Sequence, residues 1–75
     1  MDASGILAAI RGEFPSPEGF AARVRADYDP NYVAFFGLGT AAAGWIRHWC
    51  TRNDVEVPPE DVREDLASRL LGWDE

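Results

Sequence analysis

The chain has 75 residues, 47% of them hydrophobic and 27% charged, which fits one small globular domain over 1–75 and argues against a disordered chain. Its net charge of -6 disfavours direct nucleic-acid binding, because phosphates demand positive charge. Cys50 is the only cysteine, so an internal disulfide is excluded and a reducing, cytoplasmic setting is expected.

The charge is unevenly spread. Residues 1–53 balance Asp2, Glu13, Glu18, Asp27 and Asp29 against five arginines, so the whole imbalance falls in residues 54–75.

Ser4 is placed to cap a first helix that runs to about Glu13 or Phe14, with Ile6, Leu7, Ile10 and Phe14 on one side. The apolar run Ile6 to Ile10 is too short for a signal peptide, and no basic segment precedes it. Pro15-Ser16-Pro17 interrupts the chain. Ser16 as N-cap, Pro17 at the first helical position and Glu18 in the first turn then start a second helix. It reaches about Asp27 and presents Phe20, Val24 and Tyr28 at i, i+4, i+8.

Asp29-Pro30 repeats the start signal and predicts a long third helix to about Asn53, rich in glycine and alanine. Tyr32 to Ile46 holds 15 uncharged residues, short of the roughly 20 that span a membrane. At 100° per residue, Phe35, Leu38, Ala42, Trp45, Ile46 and Trp49 crowd one side of this helix. Tyr32, Phe36, Gly39, Ala43 and Cys50 widen that side to about half the circumference. Gly37, Ala41 and Gly44 lie on the opposite, small-residue side. Either that side packs on helix 1 or stands exposed, or it forms a self-association face for a homodimer. The alternative to a continuous helix is a break near Gly37-Gly39, with Thr40 capping a new one.

Asn53 to Val57 reads as extended or irregular, and Pro58-Pro59-Glu60-Asp61 opens a fourth helix. Its apolar row is Val62, Leu66, Leu70 and Trp73, and Gly72 is placed to end it. The predicted fold is therefore all-α: a compact bundle of four helices around the third.

No catalytic or cofactor motif is present. His48 and Cys50 stand at i, i+2, about 160° apart on a helix, and no second cysteine or histidine completes a metal site. Cys50 is expected as a buried hydrophobe. The aromatics Tyr28, Tyr32, Phe35, Phe36, Trp45 and Trp49 fit a core better than a base-stacking platform, since the basic groove such a platform needs is missing.

Glu60, Asp61, Glu64 and Asp65 lie away from the apolar row of the fourth helix, and Asp54 and Glu56 precede them. Acids in a first turn complement the helix dipole, and Asp65 with Arg69 forms an i, i+4 pair, so a solvated face accounts for them. The functional alternative is a negative docking face for a protein partner with a basic surface. A small, acidic, cofactor-free chain of this kind suits a non-enzymatic adaptor or inhibitor of a nucleic-acid-handling protein, in the style of phage-encoded inhibitors. The rival is a structural protein that self-associates through Gly37, Ala41 and Gly44.

Overall fold

Local capping chemistry sets the helix starts in the computed structural model, which describes residues 1–72. Helix α1 (Ala3–Glu13) is capped by Asp2, whose carboxylate accepts from the Gly5 N–H at 2.9 Å. The cap is therefore Asp2 and not Ser4. An aspartate just outside the helix reaches the orphan amides of the first turn, whereas Ser4 already lies within it. Helix α2 (Pro17–Asp27) starts as its sequence predicts: Ser16 Oγ accepts from the Gly19 N–H at 3.1 Å, and Pro17 fills the first position. Helix α3 (Pro30–Phe36) uses Asp29 in the same way, with Oδ1 accepting from the Asn31 N–H at 2.7 Å. Helices α4 (Leu38–Arg52) and α5 (Glu60–Leu71) follow.

The described residues thus form five helices and no strand. The all-α class stands; the count of four does not. The predicted third helix is divided at Gly37, where φ is 96° and ψ is 154°, a region that residues with a Cβ avoid. Both ends stay hydrogen-bonded across the break. Gly37 N–H donates to Val33 O at 2.8 Å, and Gly37 O accepts from the Ala41 N–H at 3.2 Å.

Helix α4 is the centre of the molecule, in contact with α2, α3 and most extensively α5. Ala41, Ala42, Ala43, Trp45, Ile46, Trp49 and Cys50 are all buried, so its middle is enclosed nearly all round. Ile6 and Ile10 of α1, Phe20 and Val24 of α2, and Leu66, Ala67 and Leu70 of α5 complete the core. Phe14, Phe20 and Trp45 meet edge to face with centroids 5.3–5.8 Å apart, an arrangement that adds to simple burial.

The two tryptophans anchor the bundle as their spacing predicts; each is only 4% exposed. Their polar edges are also satisfied. Trp45 Nε1 donates to Asp27 Oδ2 at 2.8 Å, and Trp49 Nε1 donates to Glu13 Oε2 at 2.7 Å. These bonds tie α4 to α2 and α1.

The connection after α4 is irregular, as expected. Asn53 Nδ2 donates to Trp49 O at 2.8 Å and Val55 N–H to Cys50 O at 2.8 Å. Asp54 takes φ 60°, the left-handed turn that aspartate tolerates better than most residues. In α5, Leu66 and Leu70 are buried and Val62 half-buried, matching the predicted row. Trp73, its last member, lies outside the described residues. The dimensions, 32 × 24 × 20 Å with a radius of gyration of 11.4 Å, match the roughly 11 Å of a compact chain of this length. Among the described residues no helix is long and apolar enough to cross a membrane.

Candidate protein-interaction surface

Helix α3 has no buried residue. Phe35 is 83% exposed, Phe36 54% and Tyr32 36%, although all three are large and apolar. They are contiguous. Tyr28 and Tyr32 have centroids 5.3 Å apart, Tyr32 and Phe36 4.7 Å, and Phe35 and Phe36 4.9 Å. Tyr28, half-buried just after α2, is the inner end of this ladder, and Val33 is the side chain of α3 that packs on the core. No charged side chain occurs between Pro30 and Ile46, so the ladder has no ionic group of its own.

This corrects the expectation that Tyr32, Phe35 and Phe36 belong to the core. That expectation placed them on a straight rod running on into α4. The turn at Gly37 separates the two helices, so the angular position of a residue in α3 no longer predicts which side of α4 it shares. The available signal was the close spacing of Gly37 and Gly39 beside a run of aromatics.

The six acids picked from the sequence, Asp54, Glu56, Glu60, Asp61, Glu64 and Asp65, are all exposed. They do not make one face. Glu64 lines an open groove of about 470 Å³ together with Gly39 and Thr40 of α4 and Ser68, Leu71 and Gly72 beside it. Asp65 faces a different groove, shared with Ala3, Ser4 and Leu7 of α1. Glu56 lies near the start of α1, in a groove with Met1 and Ile6. Helix α5 therefore carries acids on two sides, toward α4 and toward α1. Asp65 Oδ2 accepts from Arg69 Nε at 2.8 Å, a pair 60% exposed on both sides and so worth little to stability. Asp61 Oδ1 accepts from the Val62 N–H at 2.9 Å. Arg63 bends back instead, donating from Nη1 to Pro58 O at 2.6 Å.

The small residues picked for self-association are used inside the chain. Ala41 is fully buried. Gly44 lies under Tyr28, so close that a Cβ there would meet the Tyr28 hydroxyl. Gly37 is half-buried at the helix break. Ala41 is thus closed off by the chain itself, whereas Gly37 and Gly44 are half-buried and Thr40, on the same side, is exposed.

Cys50 is fully buried, and burial pushes its thiol pKa up, opposed by the nearby Arg63 guanidinium. That is the environment of an unreactive thiol. Burial also raises the Tyr28 hydroxyl, reinforced by Tyr32 and Asp27 and opposed by Arg47. His48 is exposed, and among the described residues no group of three histidine, cysteine, aspartate or glutamate side chains gathers as a metal site.

No protein-family model, curated protein or solved structure matches the chain significantly.

Proposed function

We propose that this chain is a non-enzymatic protein-interaction module, an adaptor or inhibitor that docks on a basic, nucleic-acid-handling protein. The observation that carries the proposal is the aromatic ladder of Tyr32, Phe35 and Phe36, which the chain's own core leaves in water. Isolated exposed apolar residues are ordinary on a protein surface; a contiguous stack on a helix with nothing buried is what an interaction site needs. Aromatic anchors supply most of the binding energy in protein interfaces, and charge around them sets approach and partner choice. Here the excess charge is negative and falls in residues 54–75, whose acids from Asp54 to Asp65 are exposed, which favours a basic partner.

The test is affinity capture from cells of the source organism with the wild-type chain, followed by titration of the captured partner. Phe35→Ser with Phe36→Ser should weaken binding by roughly a hundredfold, the scale of lost anchor residues. Reversing Glu60 and Glu64 to lysine should leave the fold intact, slow association and flatten its salt dependence. Binding that survives both sets unchanged would rule out this surface.

A further inference from the structure

We infer that the partner presents a basic amphipathic segment: an apolar side chain seated on Phe35 and Phe36, and a lysine or arginine reaching Glu64. The inference rests on the interaction proposal and specifies its occupant. Glu64 lines the groove that opens at Gly39 and Thr40. Gly39 follows Phe36 by three residues, so their α-carbons are at most about 11 Å apart, roughly two turns of a docked helix. One short segment is thus long enough to span from Phe36 to the groove that Glu64 lines.

Charge then selects the occupant. Among the described residues Glu64 takes part in no ion pair, unlike Asp65, which lines a different groove. Among the described residues no other charged side chain lines its groove. A cation from a partner therefore meets a carboxylate that has no ion-pair partner among the described residues, in a groove lined by Gly39, three residues from the apolar anchor Phe36. A second copy of this chain fits less well. At roughly 200 Å² per aromatic side chain the three rings offer roughly 350 Å², so two copies bury far less than the roughly 1,200 Å² of a stable interface. Each copy would also bring a net charge of -6.

The experiment titrates the full, isotope-labelled chain with three synthetic helical peptides that share one leucine row and carry lysine, glutamine or glutamate on the opposite side. Chemical shifts at Phe35, Phe36, Gly39 and Glu64 moving together with the lysine peptide, and not with the glutamate one, support the inference. Phe35→Ser should weaken that binding by roughly tenfold or more. Glu64→Gln should weaken it by roughly two- to fivefold, with Asp65→Asn as the neutral comparison. Equal binding of the glutamine peptide, or shifts confined to the acids of α5, overturns it. Ring resonances that move with the chain's own concentration in the absence of peptide assign the surface to a second copy and also overturn it. If the lysine peptide binds nowhere while Phe35→Ser still abolishes capture of the cellular partner, this occupant is wrong and the interaction proposal stands.

Discussion

The Tyr28 hydroxyl lies against Gly44, at the position where any larger residue would place its Cβ. Glycine in the middle of α4 is thereby explained, for it admits a tyrosine from the end of α2. Gly44→Ala sets two effects against each other. Alanine favours the helix by about 1 kcal/mol, while the Cβ displaces a ring that stacks on Tyr32. Removing the hydroxyl separates them, because the next ring atom is 3.5 Å from the Cβ, an ordinary contact. In a Tyr28→Phe background Gly44→Ala should be at least about 1 kcal/mol more favourable than in the wild type. Urea melts of the four chains measure the coupling; strict additivity would show that Tyr28 does not occupy that space.

Gly37 and Gly39, two residues apart, should respond in opposite directions. Neither has a neighbour within 4 Å of an added Cβ, so space decides nothing. Backbone conformation does. Gly37→Ala forces a side chain into φ 96° and should cost about 1–3 kcal/mol. Gly39 lies within α4, and Gly39→Ala should stabilise by up to about 1 kcal/mol. Thermal melts resolve both changes, since 1 kcal/mol moves the midpoint by roughly 4–8 °C in a domain of this size.

These glycines show what was legible in the chain and what was not. Ser16-Pro17 and Asp29-Pro30 announce helix starts because capping is local chemistry, complete within three residues. Leu66 and Leu70 announce their burial because a helix that packs at all repeats its contacts every turn. Trp45, Trp49 and Cys50 were readable as core for the same reason. Gly37, Gly39 and Gly44 look alike in sequence, yet one makes a turn, one is incidental and one admits a residue 16 positions away. Periodicity also cannot say whether a face finds a partner. Tyr32 and Phe36 hold the i, i+4 spacing of core residues, but the turn at Gly37 sets them apart from α4 and the described residues leave both exposed. The acids of α5 were legible as exposed, whereas their division between two grooves depends on where α1 and the first turn of α4 pass.

Trp45 and Arg23 share one acceptor, and the two bonds should differ in weight. Asp27 Oδ2 accepts from the buried indole at 2.8 Å and from Arg23 Nε at 3.3 Å. The arginine is 55% exposed, so Arg23→Ala should change stability by less than about 0.5 kcal/mol. Asp27→Ala also leaves a buried N–H without its acceptor and should cost about 1–3 kcal/mol. Denaturant midpoints of the two variants check the ranking, and equal effects would mean that the ion pair matters more than the indole bond.

Cys50 gives the stability an alkaline slope. Burial raises its pKa in the folded chain, so above about pH 8.5 the unfolded chain loses the thiol proton while the folded chain keeps it. The folded state then binds more protons, and stability falls as pH rises through that window; below it the contribution is constant. Cys50→Ala should be less stable at pH 7 through lost packing but should show a shallower decline between pH 8.5 and 10. Parallel curves for the two chains would place the slope elsewhere.

Phe20 and Phe35 are the same residue in opposite situations, fully buried and 83% exposed. Phe20→Ala removes a ring that touches both Phe14 and Trp45 and should cost about 3–5 kcal/mol. A 75-residue chain has roughly 4–11 kcal/mol in total, so this variant should lose between about a quarter and all of its stability. Phe35→Ala loses little that the folded chain buries and should stay within about 0.5 kcal/mol of wild type. It should also elute earlier from a hydrophobic-interaction column, because the exposed apolar area shrinks. Circular dichroism melts and column retention together separate the roles. A marked loss of stability in Phe35→Ala would mean that its ring supports α3, and the ladder would then be structural instead of a surface offered to a partner.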